Sequence, residues 1–231
     1  LRKPNEKMQI CSFLWVYYGF PTSDYEGRNV EQVRYACGHA MGKSDDVKAD
    51  IVCGIPDSGI AMAIGYSHTS GVPYQRAITK YTPTWPRSFT PSQQSQRELV
   101  AKMKLIHNYS ILRGKSVLFC DDSIVRGTTS KRIVNMLREA GATEVHVRIV
   151  SPTMKYPCCY GVDTTTLDEL ISAKHSVEEV CKIIGADTLA FMSVKECLAS
   201  SNGKCEKMCF ACFDGIYPTP MTHEMNEINK K

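Results

Sequence analysis

Val117-Leu118-Phe119-Cys120-Asp121-Asp122-Ser123-Ile124-Val125-Arg126-Gly127-Thr128-Thr129 is an apolar run that stops at two adjacent acids and opens into a small, hydroxyl-rich turn. Lys115 to Cys120 reads as a buried strand. Ile133, Met136, Leu137 and Ala140 then share one stripe of a helix that stops at Gly141. A strand feeding a helix through such a turn belongs to a parallel α/β sheet, where ligands collect beyond the carboxyl ends of the strands. The backbone N–H groups of Ser123, Ile124, Val125, Arg126, Gly127, Thr128 and Thr129 can form a nest for a phosphate at the helix N-terminus. Asp121 and Asp122, at the end of the strand, would face sugar hydroxyls or a sugar-bound metal. The arrangement suits a phosphorylated sugar. The plain alternative is a strand-to-helix turn capped by Ser or Thr, and the coincidence of paired acids with Gly-Thr-Thr weighs against it.

Outward from this segment the chain alternates between strand and helix patterns. Val30, Val33, Ala36, Cys37 and Ala40 give Val30 to Met41 one apolar helical face. Ala49 to Ile55 reads as a short buried strand, which Pro56-Asp57-Ser58-Gly59 turns into a helix near Ile60 to Ser67. Val145 to Val150 and Thr188 to Val194 supply further strands, with a helix near Ser176 to Ile184 between them. The pattern predicts an α/β fold with a mostly parallel sheet flanked by helices, and it sets the Pro56 to Gly59 turn at the same sheet edge as the acids. Between Lys80 and Gln96, three prolines, three aromatics and many hydroxyls show no apolar period, as expected of a functional lid or a disordered loop. No internal repeat or low-complexity tract is visible.

A chain of 231 residues, 43% hydrophobic, is long enough to bury a substantial core. The net charge of +4 is spread along the sequence, which argues against a nucleic-acid footprint. No apolar run approaches a membrane span, and Leu1-Arg2-Lys3-Pro4-Asn5 has no signal-peptide core. The expectation is a cytoplasmic protein and, because the sequence starts without Met, a processed or shortened piece of a longer one. Eleven cysteines in a reducing compartment need an explanation other than disulfides. Cys37, Cys53, Cys120, Cys159, Cys181 and Cys197 read as small packing residues. Cys209-Phe210-Ala211-Cys212 lies where no regular element asks for cysteine, and its two thiols make half of a metal site.

The segment from Val117 to Thr129 resembles the phosphoribosyl pyrophosphate (PRPP) signature of type I phosphoribosyltransferases. Its wording, Asp-Asp-Ser-Ile-Val-Arg-Gly-Thr-Thr, is similar to that of the amidophosphoribosyltransferases. The likeness runs from about Cys11 through Pro218 and includes Pro56 to Gly59, Arg138-Glu139-Ala140-Gly141-Ala142 and the cysteine-bearing tail. It implies the type I phosphoribosyltransferase fold over 1–195, with a cysteine-containing extension over 196–231 packed on it. The implied reaction transfers ammonia to C1 of PRPP with release of pyrophosphate, giving 5-phosphoribosylamine at the start of purine biosynthesis. In that scheme Asp121 and Asp122 orient the ribose and, with Ser58, hold Mg2+. Pro56, Asp57, Ser58 and Gly59 bind pyrophosphate, while Lys80, Tyr81, Arg87 and Phe89 reach the reacting centre from a closing loop. That loop departs from the family pattern, with Tyr81-Thr82-Pro83-Thr84-Trp85-Pro86 in place of Asn-Arg-Tyr-Val-Gly.

The same resemblance nominates Cys11, Cys158, Cys209 and Cys212 as ligands of a [4Fe–4S] cluster, with Cys11 just before an aromatic-rich strand. Zinc is the alternative occupant of those thiols, and Cys159 and Cys205 lie near them in sequence. An N-terminal glutaminase domain or subunit is implied as the ammonia source, and nothing in these residues takes its part. A homo-oligomer and purine-nucleotide inhibitors are implied as partners. No histidine is nominated; all six read as surface or capping residues. Two other readings stay open: a nucleobase phosphoribosyltransferase, which would need a hood shaped to a base, and a regulatory nucleotide-binding protein that has lost turnover.

Overall fold

The computed structural model describes residues 9–81, 105–162, 164, 166–193, 196–197 and 208–219. From the N-terminal side, β1 (Ile10–Cys11) enters a π-helical turn (Leu14–Tyr18), followed by the ribbon β2 (Asp24–Tyr25) and β3 (Arg28–Asn29) and by helix α1 (Val30–Ser44). Then come β4 (Ile51–Gly54), α2 (Ser58–Ser70), β5 (Ile78–Lys80), β6 (Leu105–His107), α3 (Tyr109–Leu112), β7 (Ser116–Asp121), α4 (Thr128–Glu139) and β8 (Glu144–Ile149). A 3₁₀ turn (Leu167–Glu169), α5 (Ile171–Lys174), α6 (Val177–Ile184), β9 (Thr188–Phe191), β10 (Met208–Cys209) and α7 (Ala211–Asp214) complete the order.

The central sheet has strand order β4-β7-β8-β9 and is parallel throughout, with Cys53 opposite Phe119 and Phe119 opposite Val147. Alternate strand residues face opposite layers, as the pleat requires. Val52, Leu118 and Cys120 pack on Val33, Cys37, Met62 and Tyr66 of α1 and α2. Ile51, Val117, Phe119, Val147 and Ile149 pack on Ile133, Val134 and Leu137 of α4 and on Val180 and Ile184 of α6. Strands β4 and β7 are buried on both faces, which explains their continuous apolar runs. The predicted α/β class is what the structure has. No helix among the described residues is long and apolar enough to cross a membrane.

Helices α1 and α2 touch through glycine. A Cβ on Gly38 would fall 1.8 Å from the Met62 carbonyl oxygen, and one on Gly65 would fall 2.2 Å from that of Tyr35. Backbone cannot yield as a flexible side chain can, so Gly38→Ala is expected to cost about 3 kcal/mol through overpacking. Urea denaturation checks this, as a lowered midpoint at constant slope.

Buried polar groups lock α1 to the sheet. Arg148 of β8 is 3% exposed, and its Nε and a terminal nitrogen donate to both oxygens of Asp45 at the end of α1. Its other terminal nitrogen donates to the Val147 carbonyl and the Thr188 hydroxyl, each at 2.9 Å, and the Tyr66 hydroxyl donates to Asp45 at 2.8 Å.

Several expectations need correction. The aromatic segment after Cys11 is a π-helical turn, not a strand, and Gly19 N–H closes it on the Leu14 carbonyl at 2.7 Å. His146 is 6% exposed, between the hydroxyls of Ser116 and Thr188 at 3.1 and 3.0 Å, so it is no surface residue. Cys159 is exposed and packs no core. Lys80 ends β5, which pairs antiparallel with β6. Arg87, Phe89, Cys205, Val194 and most of the expected lid lie outside the described residues.

Candidate active site

The carboxyl ends of β4 and β7 carry the two turns singled out in the sequence. Strand β7 ends on Asp121, and the chain runs through Asp122 to Gly127 into α4. Gly127 has φ +75°, in the left-handed region that favours glycine. The loop is tied down on two sides. Val150 and Ser151 N–H groups donate to the Asp121 and Asp122 carbonyls at 3.1 and 3.0 Å, and Ile171 N–H donates to Val125 at 2.9 Å.

The neighbouring turn lies tight against the same strand. Ile55 N–H donates to the Cys120 carbonyl at 3.0 Å, and a Cβ on Gly59 would fall 2.4 Å from that same oxygen. Glycine at 59 therefore answers a close backbone approach rather than a turn preference. Ser58 is delivered to the acids: its hydroxyl donates to Asp122 Oδ2 at 2.5 Å, and the Ser123 hydroxyl donates to Oδ1 at 2.6 Å. Asp121 Oδ1 accepts from the Asp122 N–H at 2.9 Å.

Both carboxyls are 7% exposed. Burial pushes Asp121 well above the ordinary carboxylate range, and the charge of Asp122 adds to that. Asp122 is also raised by burial, but the Ser123 and Ser58 hydroxyls and the charge of Arg34 hold it down. Two buried acids partnered by hydroxyls and one backbone N–H form a hard-oxygen donor set with charge left to neutralise, which suits a magnesium ion.

These groups line one cavity of about 450 Å³, with Pro56, Ser58, Asp121, Asp122, Ser123, Ile124, Val125, Arg126, Gly127, Thr128 and Thr129 in its wall. The volume is typical of a small-molecule site. Asp57 and Gly59 of the same turn do not line the cavity. Lys80 is drawn to the turn from outside, with its Nζ 2.7 Å from Asp57 Oδ2. Tyr81, the next residue, is 39% exposed and does not line the cavity. Sequence reasoning did not find the rest of the wall, to which Phe13, Tyr17, Tyr18, Met154, Val162 and Thr164 belong. The aromatic run after Cys11 was its one visible signal.

A second cavity, of about 700 Å³, is lined by Cys11, Cys158, Cys209 and Cys212. Parallel pairing of β1 with β10 sets Cys11 opposite Cys209. Cys212 follows one helical turn later on α7, and Cys158 is fixed by its N–H bond to the Thr164 carbonyl at 2.9 Å. Burial raises the thiols of Cys11, Cys209 and Cys212, and the charge of neighbouring thiols in the set adds to each. Among the described residues no three His, Cys, Asp or Glu side chains converge closely enough for a single metal ion. The four thiols line one space together, and four thiolates are a donor set that iron–sulfur groups and zinc both take. Tyr18 and Val162 wall both cavities.

Comparison with known proteins agrees with this geometry. The chain is 47% identical to the amidophosphoribosyltransferase of Bacillus subtilis (strain 168) over 93% of its own length and 46% of the relative's. It is 41% identical to that of Methanothermobacter thermautotrophicus over 97% and 47%. The chain thus spans about half the length of the curated relatives it matches. A solved structure of the glutamine PRPP amidotransferase from B. subtilis, complexed with ADP and GMP, superposes with TM-score 0.85 at 46% identity, covering 95% of this chain and 49% of that one. The phosphoribosyl transferase domain family matches residues 29–180, the span that holds strands β4, β7 and β8 and the two turns at their carboxyl ends, and the chain belongs to that family.

Proposed function

We propose that this chain is the phosphoribosyl-transfer half of an amidophosphoribosyltransferase. On this reading it binds PRPP and passes ammonia to C1 with loss of pyrophosphate, giving 5-phosphoribosylamine, the first step of purine biosynthesis. The observation that carries the proposal is the convergence of the Asp121–Thr129 loop and the Pro56–Ser58 turn on one cavity at the carboxyl edge of the parallel sheet. The loop and the α4 N-terminus receive the 5-phosphate, and the Pro56 to Gly59 turn receives the pyrophosphate. Asp121 and Asp122 hold the ribose hydroxyls and favour the positive charge that develops on the sugar as the leaving group departs. Magnesium, held by Asp121, Asp122 and Ser58, would neutralise the departing pyrophosphate. Lys80, already at the turn, adds a cation there, and Tyr81 and Arg87 complete the set at the reacting centre. Neutral ammonia needs no general base, so no histidine is given a role. A glutaminase domain or partner supplies the ammonia, purine nucleotides compete for the phosphate loop, and the working protein is a cytoplasmic homo-oligomer. Residues 196–231 form the extension that brings two of the thiols.

Pyrophosphate release from PRPP and magnesium with ammonium chloride as the amine tests the proposal. Amine-dependent release supports it; PRPP bound without turnover would favour a regulatory protein, and turnover with a nucleobase instead would favour a salvage enzyme.

Cys11, Cys158, Cys209 and Cys212 hold a [4Fe–4S] cluster on the same reading, which ties the chain's ends to its middle. Protein prepared without air should carry about four irons and about four sulfides per chain. Cys158→Ser should lose both, by metal and sulfide analysis. Stoichiometric zinc without sulfide would assign the site to zinc.

A further inference from the structure

The aromatic wall of the acid-lined cavity rests on a short, irregular turn, and one buried cation holds that turn together. Arg34 of α1 is 2% exposed. Its Nε donates to the Trp15 carbonyl at 3.0 Å, and one terminal nitrogen donates to the carbonyls of Tyr17 and Gly19, each at 3.0 Å. A π-helical turn of this length leaves its last carbonyls without partners inside the turn. A planar guanidinium holds several of them in a fixed fork, whereas a lysine ammonium is a compact point charge on a flexible stem. Those carbonyls belong to the segment that presents Phe13, Tyr17 and Tyr18 to the cavity that Asp121 to Ser130 also line. Space around the turn is closed as well: a Cβ on Gly19 would fall 2.2 Å from the Leu14 oxygen and 2.6 Å from a Val30 methyl.

We infer that Arg34 is a positioning residue for this cavity, fixing the aromatic wall through the backbone of its turn rather than touching the substrate. The inference rests on reading the cavity as the PRPP site. A fixed wall does two things there: it orders the bound sugar, and it keeps water from competing with the amine for C1. Sliding the turn along its carbonyls loosens both, and Gly19→Ala does so with the Arg34 charge still acting on Asp122.

Arg34→Met, Arg34→Lys and Gly19→Ala separate the alternatives, each first shown to unfold cooperatively. Two quantities are read: the PRPP dissociation constant with magnesium, by calorimetry, and the fraction of PRPP lost to water rather than to ammonia. Arg34→Met and Gly19→Ala are both expected to weaken PRPP binding and raise the hydrolysed fraction by about tenfold or more, with Arg34→Lys between them and wild type. General destabilisation would not change that partition. Folded variants with wild-type binding and partition would overturn the inference. So would an effect of Arg34→Met that Gly19→Ala does not reproduce, because Arg34 would then act by its charge and not by the turn. If Arg34→Met does not fold, Arg34→Lys and Gly19→Ala carry the same test. Failure of the wild-type protein to bind PRPP would instead remove the functional reading on which the inference stands.

Discussion

Asp122→Asn is expected to lower ammonia-dependent pyrophosphate release by about 10²–10³-fold, the usual effect of removing one preorganised electrostatic partner of a transition state. The change is nearly isosteric. Asn can still accept a hydrogen bond from Ser58 or Ser123, the hydroxyls that now donate to the two carboxylate oxygens at 2.5 and 2.6 Å. On the proposed reading it removes the negative charge that faces the sugar and its metal. Burial raises the Asp122 carboxyl above its ordinary range, which means that the ionised form costs the fold stability at neutral pH. The neutral amide does not carry that cost. Thermal unfolding should therefore show a variant at least as stable as wild type while steady-state kinetics show the loss. Undiminished release from the variant would show that Asp122 takes no part in the reaction.

The largest effect on stability is expected at Asp45. Asp45→Ala leaves the Arg148 guanidinium buried without its carboxylate, which costs about 3–5 kcal/mol, and it also removes the acceptor of the Tyr66 hydroxyl. Denaturant titration at neutral pH measures the loss. The pair adds a pH signature. Burial pushes the Asp45 carboxyl up, but the hydrogen bonds and charge of Arg148, with the Tyr66 hydroxyl and Val47 N–H, outweigh it, and the net shift is downward. A carboxylate with a depressed pKa in the folded state contributes stability that is fully present above the unfolded value of about 4 and is lost as pH falls through the folded value. Wild-type melting temperature should therefore fall steeply below about pH 4, and Asp45→Ala should show a shallower acid limb.

Local pattern carried most of the fold. Val117 to Thr129, Pro56 to Gly59 and the stripe Ile133, Leu137 and Ala140 each announced their element, because strand, tight turn and amphipathic helix are written within a few residues. The aromatic turn was hidden for the converse reason. Phe13-Leu14-Trp15-Val16-Tyr17-Tyr18 is rich in strand formers, and Arg34, which donates to its carbonyls, lies outside that segment and is linked to it only through space. His146 looked like surface because its partners, Ser116 and Thr188, come from the neighbouring strands β7 and β9. Cys159 shared its neighbourhood with Cys158, and nothing in the residues tells which of the two turns inward. The thiol set was visible only by resemblance, since no spacing rule joins Cys11 to Cys209.

That last pairing has a consequence for how the molecule is made. β1 and β10 are two-residue strands far apart in sequence, yet they lie side by side and place Cys11 beside Cys209. A growing polypeptide carries Cys11 long before Cys209 and Cys212 are added. The thiol-lined chamber therefore cannot close on a nascent fragment that stops short of β10, and a chain cut before that strand keeps Cys11 without its neighbour.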